Sequence, residues 1–236
     1  MHGSGRKSIA IITARGGSKR IFKKNIRQFC GRPIIEYSIE AAIASELFQE
    51  IMVSTDDEEI AGIALKNGAR VPFRRGADTS GDYATTVDVL FEVLEEYQNT
   101  GEYFERACCI YPTAPFITAE RLRKAMNLLE DQDIDAVIPV VAFSFPPMRG
   151  MYIREGKLKY CYPEYTCKRS QDIEPMYHDC GQFYCFKPDV FLKKRKLITE
   201  KTKAIIIPEQ EMQDIDTLDD WAIAEIKYQR IKAQIR

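Results

Sequence analysis

A chain of 236 residues with 45% hydrophobic content can bury one sizeable core, so we expect a single domain over residues 1–236. Its 34 Lys and Arg against 35 Asp and Glu give a net charge of -1, which argues against nucleic acid or an anionic membrane surface as a partner. The seven Cys include no CxxC pair, and no apolar run approaches the ~20 residues of a membrane span. We therefore expect a reduced, cytoplasmic protein.

The first two thirds of the chain alternate short apolar runs with amphipathic segments. Predicted strands are "SIAIIT" (8–13), "EIMVST" (50–55), "RVPF" (70–73), "RACCIYP" (106–112) and "DAVIPVV" (135–141). Predicted helices are 33–48, 56–69, 85–98 and 118–131. Because strands and helices alternate, this order predicts an α/β fold with a mostly parallel sheet and helices on both faces.

The pattern changes between residues 142 and 177, where prolines and aromatics accumulate around the hairpin-like run "GMYIREGKLKYC". We interpret this segment as an excursion from the sheet and, because it carries many apolar side chains, as a dimerisation arm. Strands are predicted again at "GQFYCF" and "KAIIIP", and a helix at 217–234. The start "MHGSGRK" has no apolar signal region, so we expect that the protein is not secreted. The residues "MHGSG" are compatible with a native N-terminus and with an appended tag.

The stretch "ITARGGSKRIFKKNI" (12–26) places two glycines and a cluster of cations directly after the first predicted strand. Ligands of open parallel sheets bind outside the carboxyl ends of the strands. Gly16 and Gly17 allow close backbone approach to a phosphate, and the basic side chains would neutralise its charge. The stretch matches neither GxxxxGK[ST] nor GxGxxG, and the alternative is a solvated basic loop.

Four motifs carry a family resemblance in order along the chain: "ARGGSKRIFKKNI", "VPFRRGADTSGDYATT", "YPTAPF" and "DIDTLDDW". Together they resemble the CMP-sialic acid synthetase (acylneuraminate cytidylyltransferase) family, and "IYPTAPF" and "HDCGQFY" are most similar to its pseudaminic acid cytidylyltransferase branch. The resemblance implies a Rossmann-like fold, CTP and an acidic nine-carbon sugar as substrates, Mg²⁺ as cofactor, and a homodimer. Arg20 stands where the common sialic acid pattern has Gly.

Carried over position by position, the resemblance implies a nucleotide site built from the first three motifs. The predicted nucleotide-binding residues are Ala14, Arg15, Gly16, Gly17, Ser18, Lys24, Asn25, Arg75, Asp82, Thr86, Thr113 and Ala114. Arg15 and Lys24 are also predicted to be catalytic, because fixed cations stabilise charge that develops on a transferring phosphoryl group. For the second motif the alternative is an ordinary polar turn, since Gly, Asp and Ser cluster in turns.

The last motif offers two carboxylates for a metal. Asp214 and Asp216 would point the same way in an extended segment, and hard oxygen ligands suit Mg²⁺. Asp216 is therefore also predicted to be catalytic. The alternative is that Asp216 caps the following helix, with Asp219 and Asp220 in its first turn. The two roles are also compatible, with Asp214 and Asp216 on the metal and Asp219 and Asp220 at the helix start.

The predicted sugar-binding residues follow the two motifs of the pseudaminic acid branch and the arm. They are Tyr111, Lys168, Arg169, His178, Gln182 and Tyr184. Tyr111 stands where the sialic acid pattern often has Gln, which suggests a different sugar contact, and Lys168 and Arg169 would pair with the sugar carboxylate. His178 has a suitable pKa for a general base, but a lone His is more often structural. The competing interpretation is that this aromatic segment is simply a core or dimer arm.

These assignments predict attack by the anomeric hydroxyl of a nonulosonic acid, pseudaminic acid first, on the α-phosphate of CTP. Sialic, legionaminic and 3-deoxy-octulosonic acids are the alternative substrates. A noncatalytic nucleotide-binding regulator on the same fold is the alternative from another class, and the basic loop and both carboxylates argue against it.

Overall fold

The computed structural model describes residues 7–234, so the start "MHGSG" and His2 lie outside the described residues. The strands within this range are β1 (Ser8–Thr13), β2 (Gln28–Phe29), β3 (Arg32–Pro33), β4 (Glu50–Ser54), β5 (Arg106–Ile110), β6 (Ala136–Ala142), β7 (Met151–Arg154), β8 (Lys157–Tyr160), β9 (Tyr177–Asp179), β10 (Phe183–Phe186) and β11 (Thr202–Ile206). The α-helices are α1 (Ile35–Ser45), α2 (Glu58–Lys66), α3 (Ala77–Ser80), α4 (Thr86–Asn99), α5 (Ala119–Leu128), α6 (Pro188–Lys194) and α7 (Leu218–Gln234).

Among the described residues, one seven-stranded sheet organises the fold in the order β11-β6-β10-β5-β1-β4, and β9 pairs with the far end of β6. β1 lies parallel to both β4 and β5, and β11 lies parallel to β6. β10 runs antiparallel between β5 and β6, and β9 is antiparallel to β6. The predicted mostly parallel sheet is confirmed, with β9 and β10 as its reversed strands.

Alternate residues of the central strands pack into two separate hydrophobic cores, because successive side chains of a strand point to opposite faces of the sheet. Ala10 and Ile12 pack on one face with α1, α2 and α5, whereas Ile9 and Ile11 pack on the other face with α4 and α6. Both faces of the sheet are thus covered by helices. Residues 9–12 of β1 are fully buried, two on each face of the sheet. The strand that leads into the basic loop is therefore packed on both sides.

The last helix is anchored by a third, aromatic cluster rather than by the sheet. Trp221 and Tyr228 of α7 meet Phe29 edge-on, with ring centroids 5.7 and 5.5 Å apart. Such edge-to-face pairs are favoured by the quadrupoles of the rings. The cluster fixes the segment just before α7 beside the basic loop.

The predicted strand "RVPF" is wrong. Arg70 forms only an isolated bridge with Met52, and residues 71–73 continue without a ladder. Pro72 has no N–H to donate, which removes a ladder hydrogen bond at the edge of the sheet. The apolar run was therefore too short and too interrupted to form a strand.

The excursion at 142–177 contains a hairpin of β7 and β8 that pairs with itself and with no other strand. Its turn is Glu155-Gly156, with φ values of 53° and 70°. Positive φ at both central residues is the requirement of a type I′ hairpin turn. Every residue of β7 and β8 is exposed, including Ile153 at 74% and Leu158 at 62%. Within residues 7–234, we find no helix with the length and apolar character needed to traverse a membrane.

Candidate active site

A cleft of about 520 Å³ opens outside the carboxyl ends of β1 and β5. Thr13, the last residue of β1, and Tyr111, which follows β5, both line it. The chain passes from β1 to β4 on one side and later forms β5 on the other side, so the strand order reverses at this point. Open α/β sheets bind ligands at such a switch point.

The basic loop 14–25 forms one wall of the cleft and is fixed against α2. Gly16 donates its backbone N–H to Asp56 Oδ1 at 2.8 Å. A Cβ atom on Gly16 would lie 2.9 Å from Cβ of Asp57, which is the N-cap of α2. Gly16 is therefore required by the close approach of loop and helix, whereas Gly17 has open space around it. Asn25 closes the loop by donating from Nδ2 to the carbonyl of Arg15 at 2.8 Å.

Two carboxylates each hold two cations of this loop. Asp82 accepts from Arg15 at 3.3 Å and also pairs with Lys19. Asp216 Oδ1 lies 2.7 Å from Arg20 and 3.6 Å from the Lys24 ammonium. The hydrogen bond from Lys19 is the main cause that lowers the pKa of Asp82. Four cations of the basic loop are therefore held in two ion-pair clusters.

Lys24 and Arg75 are the cations of the cleft that burial affects most. Burial lowers the pKa of Lys24, and Asp216 and Asp214 oppose the shift. Burial likewise lowers the pKa of Arg75 to about 10, which leaves it charged at neutral pH. The Arg75 guanidinium donates to Ser54 Oγ at 2.9 Å and to the Ser54 carbonyl at 2.6 Å. It is thereby fixed at the end of β4.

Tyr111 and Thr86 also line the cleft, and neither belongs to the basic loop. The Tyr111 hydroxyl shares a 2.8 Å hydrogen bond with Thr86 Oγ1, and the Tyr111 carbonyl accepts from Ser38 at 2.8 Å. Thr86 is the first residue of α4, whose N-cap Thr85 forms a capping box with Asp88. The "YPTAPF" and "ATT" motifs, which lie far apart in sequence, therefore meet in one hydrogen bond.

The cap of α7 separates the two roles considered for Asp216. Asp220 accepts from the Thr217 N–H at 2.8 Å, and the Asp220 N–H donates to Thr217 Oγ1 at 3.2 Å. This reciprocal pair is a capping box with Thr217 as N-cap. The alternative that Asp216 caps the helix is therefore wrong. Asp214 and Asp216 both line the cleft, and partial desolvation together with Asp216 raises the pKa of Asp214.

Most of the predicted site residues come together in this cleft. They are Arg15, Ser18, Lys24, Asn25, Arg75, Asp82, Thr86, Tyr111, Thr113, Asp214 and Asp216. Four predicted nucleotide residues lie beside the cleft in the same two loops without lining it: Ala14, Gly16, Gly17 and Ala114. Ala14 is fully buried and Ala114 nearly so, so any contact they make with a ligand would run through their backbone.

The predicted sugar residues other than Tyr111 do not line the cleft of their own chain. Lys168 lies over the ring of Tyr165, and Arg169 pairs with Asp172, both within the excursion. His178 packs on Phe143 with ring centroids 4.7 Å apart. Gln182 is buried and donates to the Glu211 carbonyl at 3.0 Å, while its Oε1 has no partner.

Sequence reasoning missed several cleft residues: Thr13, Thr79, Ala84, Thr85, Val89, Pro112 and Gly181. Thr13 and Pro112 could have been predicted, because each is the last residue of a predicted strand and ligands bind outside the carboxyl ends of such strands. Thr85 could also have been predicted, because the pattern Thr-x-x-Asp marks a helix start. Val89 could not have been predicted, since its place in the apolar pattern of the helix is that of an ordinary core residue.

A family model described as cytidylyltransferase matches residues 9–198. The chain belongs to the cytidylyltransferase family. The pseudaminic acid cytidylyltransferase of Campylobacter jejuni subsp. jejuni serotype O:2 is 37% identical over 223 residues, which cover 94% of this chain and 96% of that relative. The CMP-N,N'-diacetyllegionaminic acid synthase of Legionella pneumophila subsp. pneumophila is 32% identical over 225 residues, which cover 92% of this chain and 94% of that relative.

Solved structures support the fold of this cytidylyltransferase. A CMP:2-keto-3-deoxy-manno-octonic acid synthetase complexed with CTP matches with a TM-score of 0.68 and 16% identity, over 96% of this chain and 99% of that chain. The 4-diphosphocytidyl-2C-methyl-D-erythritol synthase of Anaerococcus prevotii matches with a TM-score of 0.67 and 18% identity, over 96% of this chain and all of that chain (100%). The predicted α/β fold and the predicted family are both confirmed.

Proposed function

We propose that this cytidylyltransferase transfers CMP from CTP to the anomeric hydroxyl of pseudaminic acid and releases pyrophosphate. The observation that carries the proposal is the cleft at the strand switch point, which is lined by a cationic loop and by the hydrogen-bonded pair Tyr111 and Thr86. The relative from Campylobacter jejuni, named for this activity, aligns along nearly the whole chain. The cleft thus combines cations suited to phosphate with neutral polar groups suited to a base or a sugar.

In the proposed reaction, the anomeric oxygen bonds to the α-phosphorus of CTP while the bond to the leaving pyrophosphate oxygen breaks. The hydroxyl proton is released, and no covalent enzyme intermediate is needed. Negative charge grows on the nonbridging and leaving oxygens, which Arg15 and Lys24 are placed to stabilise from the basic loop. Half-burial of Lys24 strengthens this effect, because charges interact more strongly where water is partly excluded.

The family resemblance implies Mg²⁺, and the donor set of the cleft fits it. Asp214 and Asp216 both reach the cleft with carboxylate oxygens, the ligands that Mg²⁺ prefers. Among residues 7–234 no group of three or more His, Cys, Asp or Glu is arranged to hold a metal, so the other ligands would have to come from phosphate and water. We propose that Asp214 and Asp216 hold it. When bound, Mg²⁺ would neutralise part of the triphosphate charge.

Nucleotide and sugar choice can be tested together by pyrophosphate release. The purified protein is incubated with each of CTP, UTP, ATP and GTP, and with pseudaminic, legionaminic, N-acetylneuraminic or 3-deoxy-octulosonic acid, with and without Mg²⁺. We expect turnover with CTP, Mg²⁺ and pseudaminic acid to exceed every other combination. Equal turnover of UTP or ATP would refute the nucleotide assignment, and faster turnover of another sugar would refute the sugar assignment.

We also propose that the protein is a homodimer joined through the excursion 142–177. Support comes from the exposed apolar side chains of the β7–β8 hairpin, which pairs with no other strand of the described chain. Contiguous exposed apolar surface of this kind is typical of an interaction site. Lys168 and Arg169 lie in the same excursion and away from their own cleft. In a dimer they would be free to reach the sugar carboxylate in the partner's cleft.

A reducing cytoplasm is the compartment we propose. All seven Cys, which lie within residues 7–234, are free thiols. An odd number of Cys without a CxxC pair is typical of a chain kept in a reducing compartment.

A further inference from the structure

Two tyrosine rings and one carboxylate form a connected set beside the cleft. Tyr111 lines the cleft, and the ring of Tyr184 meets it edge-on at 5.5 Å and 83°. Tyr184 is only 6% exposed and does not line the cleft. Its hydroxyl donates to Asp179 Oδ2 at 2.6 Å. Tyr184 would therefore influence a bound molecule through Tyr111.

Asp179 uses its two carboxylate oxygens for two different donors. Oδ2 accepts from Tyr184, and Oδ1 accepts from the backbone N–H of Gly181 at 2.8 Å. Gly181 lines the cleft with φ at +60°, and a Cβ atom there would lie 3.9 Å from the ring of Tyr111. One side chain thus fixes both neighbours of the Tyr111 ring.

The remaining contacts of Tyr111 hold its two ends. Its N–H donates to the Gln182 carbonyl at 2.9 Å, and its hydroxyl bonds to Thr86. Burial raises the pKa of both Tyr111 and Tyr184, so both hydroxyls stay protonated at neutral pH. The lateral position of the Tyr111 ring therefore depends on Tyr184 and on the Gly181 turn.

We infer that Asp179 is a positioning residue for the sugar side of the cleft, acting on Tyr111 through the Tyr184 hydroxyl and the Gly181 turn. The inference rests on the proposed function, in which Tyr111 faces the sugar. Asp179 ends β9, where the excursion 142–177 rejoins the sheet opposite Val140 of β6. The same carboxylate is therefore in place to connect the base of the arm with the wall of the cleft.

Two substitutions test this role by different routes. Asp179→Asn keeps the size but is neutral and has one acceptor oxygen for two donors, so both hydrogen bonds lose their charge assistance and one donor faces the amide NH2. Tyr184→Phe keeps the ring packing and removes only the donor hydroxyl. For each we expect the KM for the sugar to rise about tenfold, equivalent to ~1.4 kcal/mol. The KM for CTP should stay within about twofold, because among the described residues the hydrogen bonds of Asp179 and Tyr184 do not involve the basic loop.

The double variant and a matched control complete the design. If Asp179 acts partly through Tyr184, the double variant should raise the sugar KM by much less than the product of the single effects. Asp189→Asn is the control, since Asp189 is an exposed aspartate in the first turn of α6 and does not line the cleft. It should leave both KM values unchanged. CTP binding by calorimetry shows that each variant is folded.

The KM values of these variants either support or refute the positioning role of Asp179. A sugar-selective KM rise in Asp179→Asn and Tyr184→Phe, less than multiplicative in the double variant, supports the inference. An equal rise in both KM values, or no rise, refutes it while leaving the proposed function intact, provided that the wild type turns over. If Asp179→Asn fails to fold, Tyr184→Phe alone decides by the same KM comparison. A wild type that turns over none of the four sugars refutes the proposed function and this inference together.

Discussion

Replacing Asp216 by Asn separates a catalytic carboxylate from a structural one. The α7 cap is formed by Thr217 and Asp220, so the substitution leaves the cap intact. The Asp216 side chain is 38% exposed, and ion pairs this exposed contribute at most ~1 kcal/mol to stability. For a chain of this size that amounts to a melting temperature lower by about 2 to 4 °C. We expect little change in folding.

The effect of Asp216→Asn on turnover should be much larger. Loss of one ligand charge that costs ~3 kcal/mol of transition-state stabilisation would lower kcat/KM more than a hundredfold. Pyrophosphate release measured across a Mg²⁺ series should show this fall and its partial recovery at higher Mg²⁺.

Thr217→Ala provides the opposite control for this experiment. It breaks the capping box and should cost ~1 kcal/mol of stability while leaving turnover near normal. Near-normal activity and unchanged Mg²⁺ dependence in Asp216→Asn would show that the carboxylate has no metal role, and the assignment of Asp216 would be wrong.

Three further changes test other parts of the molecule. Lys24→Ala should lower turnover without altering the Mg²⁺ dependence, because its proposed task is to offset phosphate charge; a changed Mg²⁺ optimum would contradict this. Gly16→Ala should lower the melting temperature and raise the KM for CTP, because the added Cβ would lie 2.9 Å from Asp57, whereas Gly17→Ala has open space and should be neutral in both assays. Ile153→Lys places a charge on the exposed hairpin and should convert a dimer to monomer in light scattering; a wild type that is monomeric at micromolar concentration would refute the dimer.

The strongly periodic elements of this chain could be predicted from the sequence. β1, α2, α4 and β5 appear where the apolar spacing and the capping residues place them. The direction of β10 could not be predicted, because a buried apolar run has the same pattern whether the strand lies parallel or antiparallel to its neighbours. The segment 70–73 shows the converse limit, because two apolar residues and a proline were mistaken for a strand.

Cleft residues could be predicted from the sequence where a motif directly follows a predicted strand, and less well elsewhere. Arg15 and Thr113 follow predicted strands, and both line the cleft. The roles of Asp216 and Asp220 were not separable from sequence, since either position is compatible with a helix start. Asp179 lies in the motif "HDCGQFY", but its role could not be predicted, because that role depends on Tyr184 and Gly181 meeting it in three dimensions.

The two ion-pair clusters of the cleft have a consequence for the end of the catalytic cycle. Asp82 and Asp216 pair with the same loop cations that are proposed to bind phosphate. A departing pyrophosphate therefore competes with internal anions that are tethered at high local concentration and never diffuse away. We expect these carboxylates to weaken product inhibition, so that the loop holds a highly charged substrate long enough to react and still lets an equally charged product go.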